Sequence, residues 1–267
     1  MSTPISSLEL SQESEESNDF LVFLSWNSIR LDRMKKVFSL LLFFTLCAPT
    51  EYLVQIRNPS GHIIGEYYKD TRWLGLKETP NWKDLSSFSR LEVLEFNAGD
   101  LNSLQDIPEL PRLRYIQLDS AEIKDLSPLR RFPKLDSLIL NRTETNDKIM
   151  LTYPNWNQLT RLELAYTNVS NLNFLGPGCS LRHLHLKDTK VSDLGPLANC
   201  TKLTELYLRG TKVKDLSPLY GITGLIHLQT AGSEVSNEEI RKIRTVLPYL
   251  KIMPGLRKIL DSETGAD

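Results

Sequence analysis

Residues 203–219 read LTELYLRGTKVKDLSPL, and this stretch contains the pattern that recurs through most of the chain. Its first half, Leu-x-x-Leu-x-Leu, begins at Leu91, Leu113, Leu135, Leu159, Leu181, Leu203 and Leu225. Neighbouring copies are 22 residues apart, except for one interval of 24 residues between Leu135 and Leu159. A fixed period of this length indicates a repeat architecture in which each unit stacks on the next.

The chemistry of one unit predicts its local structure. Leu206 and Leu208 are separated by Tyr207, and an apolar period of two predicts a short strand. Pro218 follows in a segment whose apolar residues are three apart, which suits a 3₁₀ turn and not a strand interior. One unit alone cannot bury its apolar edge. Stacked units would bury a continuous core of leucines beneath a parallel sheet.

The same residues resemble leucine-rich repeats, closest to the 22-residue class found in bacterial internalins and in the leucine-rich regulatory subunit of protein phosphatase 1. The resemblance covers roughly residues 69–252. It implies an α/β repeat solenoid, curved, with a parallel strand sheet on the concave face and 3₁₀ or irregular turns on the convex face. The family usually has Asn after the strand; here that position holds Gly99, Ala121, Thr143, Thr167, Thr189, Thr211 and Ser233. Because Thr can replace an Asn ladder only partly, we expect the inner turn to be packed differently.

The ends of the repeat region carry signals of their own. Residues 51–90 are predicted to form an N-terminal cap, a β-hairpin followed by a degenerate first coil. The repeats then occupy residues 91–249. Ser236 and Glu239 form a capping box before a short helix, and residues 250–267 supply an edge strand and a polar tail.

The N-terminus combines two unrelated pieces. Residues 1–33 are acidic and rich in Ser and Glu, and we interpret them as disordered or as preceding the true start at Met34. Residues 34–50 resemble a secretory signal peptide, since Lys35 and Lys36 precede a 12-residue apolar block. The alternatives are that residues 37–46 form a buried helix or cap, or that Cys47 carries a lipid anchor. Leu46 argues against the anchor because lipoprotein signals need a small residue there. The protein is expected to be exported (periplasmic, envelope or secreted) if Met34 is the start, and cytoplasmic otherwise.

Composition excludes several classes of protein. The 267 residues are 40% hydrophobic and 24% charged, with a formal net charge of −1, whereas dedicated nucleic-acid binders carry a basic excess. No apolar run approaches the ~18 residues that a membrane-spanning helix needs. Three cysteines exclude a disulfide-built fold. Cys179 and Cys200 lie in adjacent coils, so a disulfide is feasible in an exported protein, but two reduced cysteines are the expectation.

The sequence contains no catalytic or cofactor motif: there is no G-x-S-x-G, P-loop, dinucleotide turn or H-E-x-x-H. We therefore predict a protein that is not an enzyme and needs no cofactor. A metal site at His183 and His185 is disfavoured, because residues two apart on a strand are separated by ~6.6 Å. A pH-sensitive contact suits these histidines better.

The candidate site is the outward face of the parallel strands. Tyr and Arg, the usual anchors of binding hot spots, cluster there with three of the four histidines. The candidate partner-binding residues are Tyr115, Arg161, Tyr166, His183, His185, Lys187, Glu205, Tyr207, Arg209 and His227. Acidic or aromatic groups on a partner would suit the C-terminal half of this face, although a mixed charged face can also be merely solvated.

The leading hypothesis is a monomeric, non-catalytic module that binds another protein. By resemblance to internalins, it would be exported and would meet host or envelope proteins. One rival is a cytoplasmic scaffold or enzyme-regulatory subunit, as the phosphatase-subunit resemblance would allow. A second is a metal-dependent enzyme centred on the histidines.

Overall fold

A computed structural model describes residues 52–97, 101 and 103–253 of the chain. The chain divides into two units, Met1–Tyr52 and Leu53–Asp267, and the repeats belong to the second. The predictions for residues 1–33, for the signal-like segment and Cys47, and for the tail after Met253 lie outside the described residues.

The second unit begins with an antiparallel hairpin and continues as one parallel sheet. The hairpin pairs β1 (Leu53–Arg57) with β2 (Ile63–Tyr68). The sheet follows chain order without crossovers. Its nine strands are β3 (Trp73–Leu76), β4 (Val93–Phe96), β5 (Tyr115–Leu118), β6 (Ser137–Ile139), β7 (Arg161–Glu163), β8 (His183–His185), β9 (Glu205–Tyr207), β10 (His227–Gln229) and β11 (Lys251–Met253).

The strands pair in a constant register that buries the repeated leucines. Leu206 pairs with Leu184 on one side and with Leu228 on the other, and all three are fully buried. At the starts of β3 to β9, one carbonyl accepts two successive N–H groups from the next coil, as Arg182 does from Thr204 and Glu205 at 2.9 Å. The predicted curved leucine-rich-repeat solenoid is confirmed.

The return segments contain short 3₁₀ helices, as Pro and the apolar spacing predict. They span Trp82–Ser87, Ser127–Arg131, Trp156–Gln158, Gly195–Asn199 and Ser217–Leu219. Asp215 starts one of them, since its carboxylate accepts from the N–H and the hydroxyl of Ser217, both at 2.8 Å. The 24-residue repeat uses its extra length for a single helical turn, α1 (Asp147–Met150), which is capped by Asn146.

Threonine closes the inner turn after the strand. In four successive coils the buried Thr hydroxyl donates to the carbonyl three residues earlier, at 2.7–2.8 Å. The pairs are Thr143 with Leu140, Thr167 with Leu164, Thr189 with Leu186, and Thr211 with Leu208. Each turn is thus closed within its own coil, which is how it differs from an Asn ladder between coils.

The structure corrects the expectation of two reduced cysteines, because Cys179 and Cys200 form a disulfide with a Cα–Cα distance of 4.8 Å. Their separation of 21 residues is one less than the repeat, so the two residues lie side by side in consecutive coils. Both are buried, at 5% and 0% exposure. The spacing between stacked coils, about 4.8 Å, is what brings their side chains within bonding reach.

The C-terminal end is closed by helix α2 (Asn237–Val246). The Ser236 hydroxyl accepts from the Glu239 N–H at 3.2 Å, as the capping box predicts. Ile240 and Ile243 bury its apolar side. In the described ranges, no helix combines the length and the apolar character needed to cross a bilayer.

Candidate functional site

The sheet register places the predicted face residues in two columns. Paired positions in the first column are Tyr115, Ser137, Arg161, His183, Glu205 and His227. Paired positions in the second column are Gln117, Ile139, Glu163, His185, Tyr207 and Gln229. Seven of the ten candidate residues therefore share one continuous face, while Tyr166, Lys187 and Arg209 follow the strand ends. The partner-binding role of all ten remains a prediction.

Glu163 is the centre of this face, although it is not among the ten candidate residues predicted from the sequence. The face was predicted to be exposed, yet Glu163 is 6% exposed because neighbouring polar side chains cover it. Nε of Arg161 donates to its Oε1 at 2.8 Å, with Nη2 in contact with the same oxygen. Asn141 donates to Oε2 at 3.0 Å. His183 and His185 place ring nitrogens 3.6 and 3.9 Å from the carboxylate.

The Glu163 carboxylate is ionised. Burial by itself would raise its pKa, but the facing groups of His185, Arg161 and Asn141 outweigh burial and hold the pKa well below its usual range. The signal in the sequence was a carboxylate two residues after Arg161 on the same strand face. Its burial depended on neighbours from other coils.

His183 and Glu205 form a second contact beside the first. Nδ1 of His183 lies 2.8 Å from Oε2 of Glu205, and the Tyr207 hydroxyl donates to that oxygen at 3.2 Å. Burial lowers the pKa of His183 despite the opposing effect of Glu205, so the ring is neutral at neutral pH. The Tyr207 ring packs against both His183 and His185, with centroid distances of 5.2 and 5.1 Å.

The network continues toward the N-terminal coils. The Tyr115 hydroxyl donates to Gln117 at 3.0 Å, and Gln117 in turn donates to Asp119 at 2.7 Å. The other Asp119 oxygen accepts from the Asn141 N–H at 3.1 Å. Because Asn141 also donates to Glu163, one asparagine joins the two carboxylates.

Asp119 is expected to titrate far above an ordinary aspartate. Burial raises its pKa to about 6, although the hydrogen bonds from Gln117 and Asn141 act in the opposite direction. A ¹³C carboxyl NMR titration of the full chain should therefore give a midpoint near pH 6 for Asp119. Asp125, which is exposed and whose pKa is lowered by hydrogen bonds from Ser127, is the control and should titrate at lower pH. A midpoint for Asp119 below pH 4.5 would contradict the buried position.

Arg142, Tyr166 and Lys187 follow the ends of three consecutive strands and are exposed or half-buried. Tyr166 is 41% exposed and adopts a left-handed backbone with φ 60°. The guanidinium carbon of Arg142 lies 5.1 Å from the centroid of its ring, and Nζ of Lys187 lies 5.0 Å from it. The equivalent residues in other coils are also left-handed, namely Ser120, Arg142, Asp188, Gly210 and Gly232. The chain therefore turns away from the strand at these positions, and the expectation that Tyr166 lies on the outward strand face is corrected.

The two histidines considered as metal ligands are spaced apart on the face. His183 and His185, the pair considered as metal ligands, have ring centroids 6.4 Å apart. Within the part of the chain that the structure describes, no group of three or more His, Cys, Asp or Glu side chains could hold a metal ion. Many polar groups of the face bond to one another, but Nε2 of His183 is buried without a hydrogen-bond partner.

Comparisons with known proteins agree with this geometry. The family description Leucine Rich repeats (2 copies) matches residues 179–221. An internalin C2 of Listeria monocytogenes is similar in structure, with a TM-score of 0.54 and 22% identity over 67% of this chain and 76% of that one. An internalin (inlF) of the same species gives a TM-score of 0.55 and 20% identity over 72% of this chain and 57% of that one. No curated protein matches the chain in sequence.

At these identities the solved structures establish the fold alone. The repeat pattern, the nine-stranded sheet and the family match all assign the same architecture. The chain therefore has the fold of a leucine-rich-repeat solenoid, similar to that of the internalins, and two copies of the repeat are matched at residues 179–221.

Proposed function

We propose that this protein is a non-catalytic, exported binding module that recognises another protein through its concave sheet face. The observation that carries the proposal is the mutually bonded set of polar side chains around Glu163. These side chains are held in place before any partner arrives, which reduces the entropy lost on binding. Tyr and Arg, which dominate binding hot spots, lie on the same face.

Export is supported by two independent features. The Cys179–Cys200 disulfide suits an oxidising compartment, since such bonds are rare in the cytosol of most cells. Residues 34–50 have the composition of a signal peptide. By analogy with the internalins, the partner would be a host or envelope protein.

The first experiment locates and weighs the native protein. Cell fractionation followed by intact mass measurement should find an extracytoplasmic chain that begins near residue 49–51. Its mass should also be about 2 Da below the reduced value. A lipid-sized increment on Cys47 would add an anchor. A full-length, reduced chain in the cytoplasm would reject export and favour the scaffold or regulatory role.

The second experiment tests the binding face in the cells that make the protein. Tyr115 is replaced by a photoreactive phenylalanine analogue, and Tyr249, which is 93% exposed on the C-terminal cap, receives the same replacement as a control. A protein cross-linked from position 115 and not from position 249 is the expected result. Equal cross-linking from both positions would reject the concave face as the binding surface.

A further inference from the structure

Arg142, Tyr166 and Lys187 form a cation–aromatic group that we name the Tyr166 edge. The three residues come from three consecutive coils, and the two cations lie 5.1 and 5.0 Å from the centre of the same ring. The π face of an aromatic ring attracts a cation, so Tyr166 positions two positive charges that would otherwise repel each other.

Backbone hydrogen bonds hold the edge together. The Arg142 N–H donates to the Ala165 carbonyl, and the Tyr166 N–H donates to the Lys187 carbonyl, each at 2.8 Å. The hydroxyls of Thr143 and Thr167 close the turns that follow Arg142 and Tyr166. The positions of the two cations are therefore set by the stacking of the coils.

Nearby acids do not lie on the outer side of this edge. Asp188 follows Lys187, but a side chain at Gly210 would meet its Oδ1 at 2.0 Å, so the carboxylate extends toward the following coil. Asp119 faces Arg142 from the preceding coil, and the Arg142 charge lowers the pKa of Asp119. Asp119 is however half-buried and engaged by Gln117 and Asn141.

We infer that the Tyr166 edge binds an acidic segment of a protein partner, with a partner carboxylate contacting Arg142 and Lys187 beside the exposed Tyr166 ring. This inference rests on the proposed function and deepens it, because it names the chemistry of the partner. An acidic peptide suits the edge better than a nucleic acid does. Nucleic-acid binders neutralise a series of phosphates and carry a basic excess, whereas this chain has a net charge of −1.

The test measures peptide affinity by fluorescence anisotropy with the full chain at low ionic strength. The probes are two labelled 12-residue peptides, one alternating Glu with Gly and the other alternating Gln with Gly. We expect the Glu peptide to bind at least about tenfold more tightly than the Gln peptide. Arg142→Gln and Lys187→Gln should each reduce affinity for the Glu peptide by about two- to fivefold, and the double variant should abolish the discrimination.

Two controls separate recognition from general charge and from folding. Lys212→Gln removes the same charge from an exposed lysine outside the edge and should leave the affinity within about twofold. Tyr166→Phe should retain binding and Tyr166→Leu should weaken it, since both place an ordinary side chain at the same left-handed position. Thermal unfolding of every variant shows whether the coils remain folded.

Several outcomes would overturn the inference. These are equal affinity for the two peptides, an equal loss with Lys212→Gln, or tighter binding of a 12-nucleotide single-stranded DNA than of the Glu peptide. The cross-linked partner of position 115 provides the distinction from the proposed function. If that species survives the Arg142→Gln, Lys187→Gln double variant undiminished, the acidic-segment inference fails while the binding module stands.

Discussion

Leu206→Asp should abolish cooperative folding of several coils. Leu206 is fully buried and pairs with Leu184 and Leu228 in the centre of the sheet. Its replacement places an unpaired carboxylate in the apolar core and removes a large side chain. The combined cost is at least about 4–5 kcal/mol, a large share of the 5–15 kcal/mol that stabilises a typical domain.

The measurement is chemical unfolding monitored by circular dichroism. Hydrogen exchange then shows which coils lose protection. Repeat proteins are held together by contacts between neighbouring coils, so protection should be lost first in β8, β9 and β10. Gln229→Asp is the matched control, because it adds the same charge to the polar face of β10. A Leu206→Asp protein with an unchanged unfolding midpoint would show that the repeat register is wrong.

Glu163→Gln should produce the second-largest loss of folding stability. The change removes the charge that Arg161 contacts and that His183 and His185 face. Removing one partner of a buried ion pair typically costs roughly 3–5 kcal/mol. We expect a fall of about this size in the free energy of unfolding at pH 7, measured by denaturant titration.

Glu92→Gln is the matched control for this variant. Glu92 forms an ion pair with Arg72 at 3.6 Å, but the two side chains are 35% and 66% exposed. Exposed pairs of this kind contribute about 0–1 kcal/mol. If the two variants lost equal stability, the buried network around Glu163 would have no special energetic role.

The pH dependence of Glu163→Gln has a defined sign. The pKa of Glu163 is lower in the folded chain than in the unfolded one, so its contribution to stability is complete above the unfolded pKa. That contribution is lost as the pH falls from about 5 toward the folded pKa. The stability difference between the native chain and Glu163→Gln should therefore be largest at pH 7 and measurably smaller at pH 3. A difference that stays constant over this range would contradict the ionised state of Glu163.

Much of the fold follows from short-range pattern. The alternation around Leu206 predicts a strand, and the Pro residues of the return segments predict 3₁₀ turns. The 22-residue period predicts that such units stack. All three features can be recognised within one or two units of the sequence. The columns of the concave face were predictable for the same reason, because a constant period aligns equivalent residues such as Arg161 and His183 on adjacent strands.

The interactions across that face were harder to predict. The burial of Glu163 depends on side chains from three coils, and no local pattern ranks it above the other polar residues of the face. The same holds for Cys179 and Cys200, whose pairing depends on the closeness of two coils. Tyr166 was wrongly placed on the strand face because left-handed residues are usually Gly, Asn or Asp, whereas the equivalent positions in this chain also hold Ser, Arg and Tyr.

The sequence by itself thus determined the repeat, the strand and turn positions, and the buried leucines, because period and hydrophobicity act within one unit. Only the tertiary structure decided which polar groups meet. Contacts such as Asn141 with Glu163, or Lys187 with Tyr166, join residues more than 20 positions apart. Their energies depend on the distance between stacked coils and on the burial that the stacking creates.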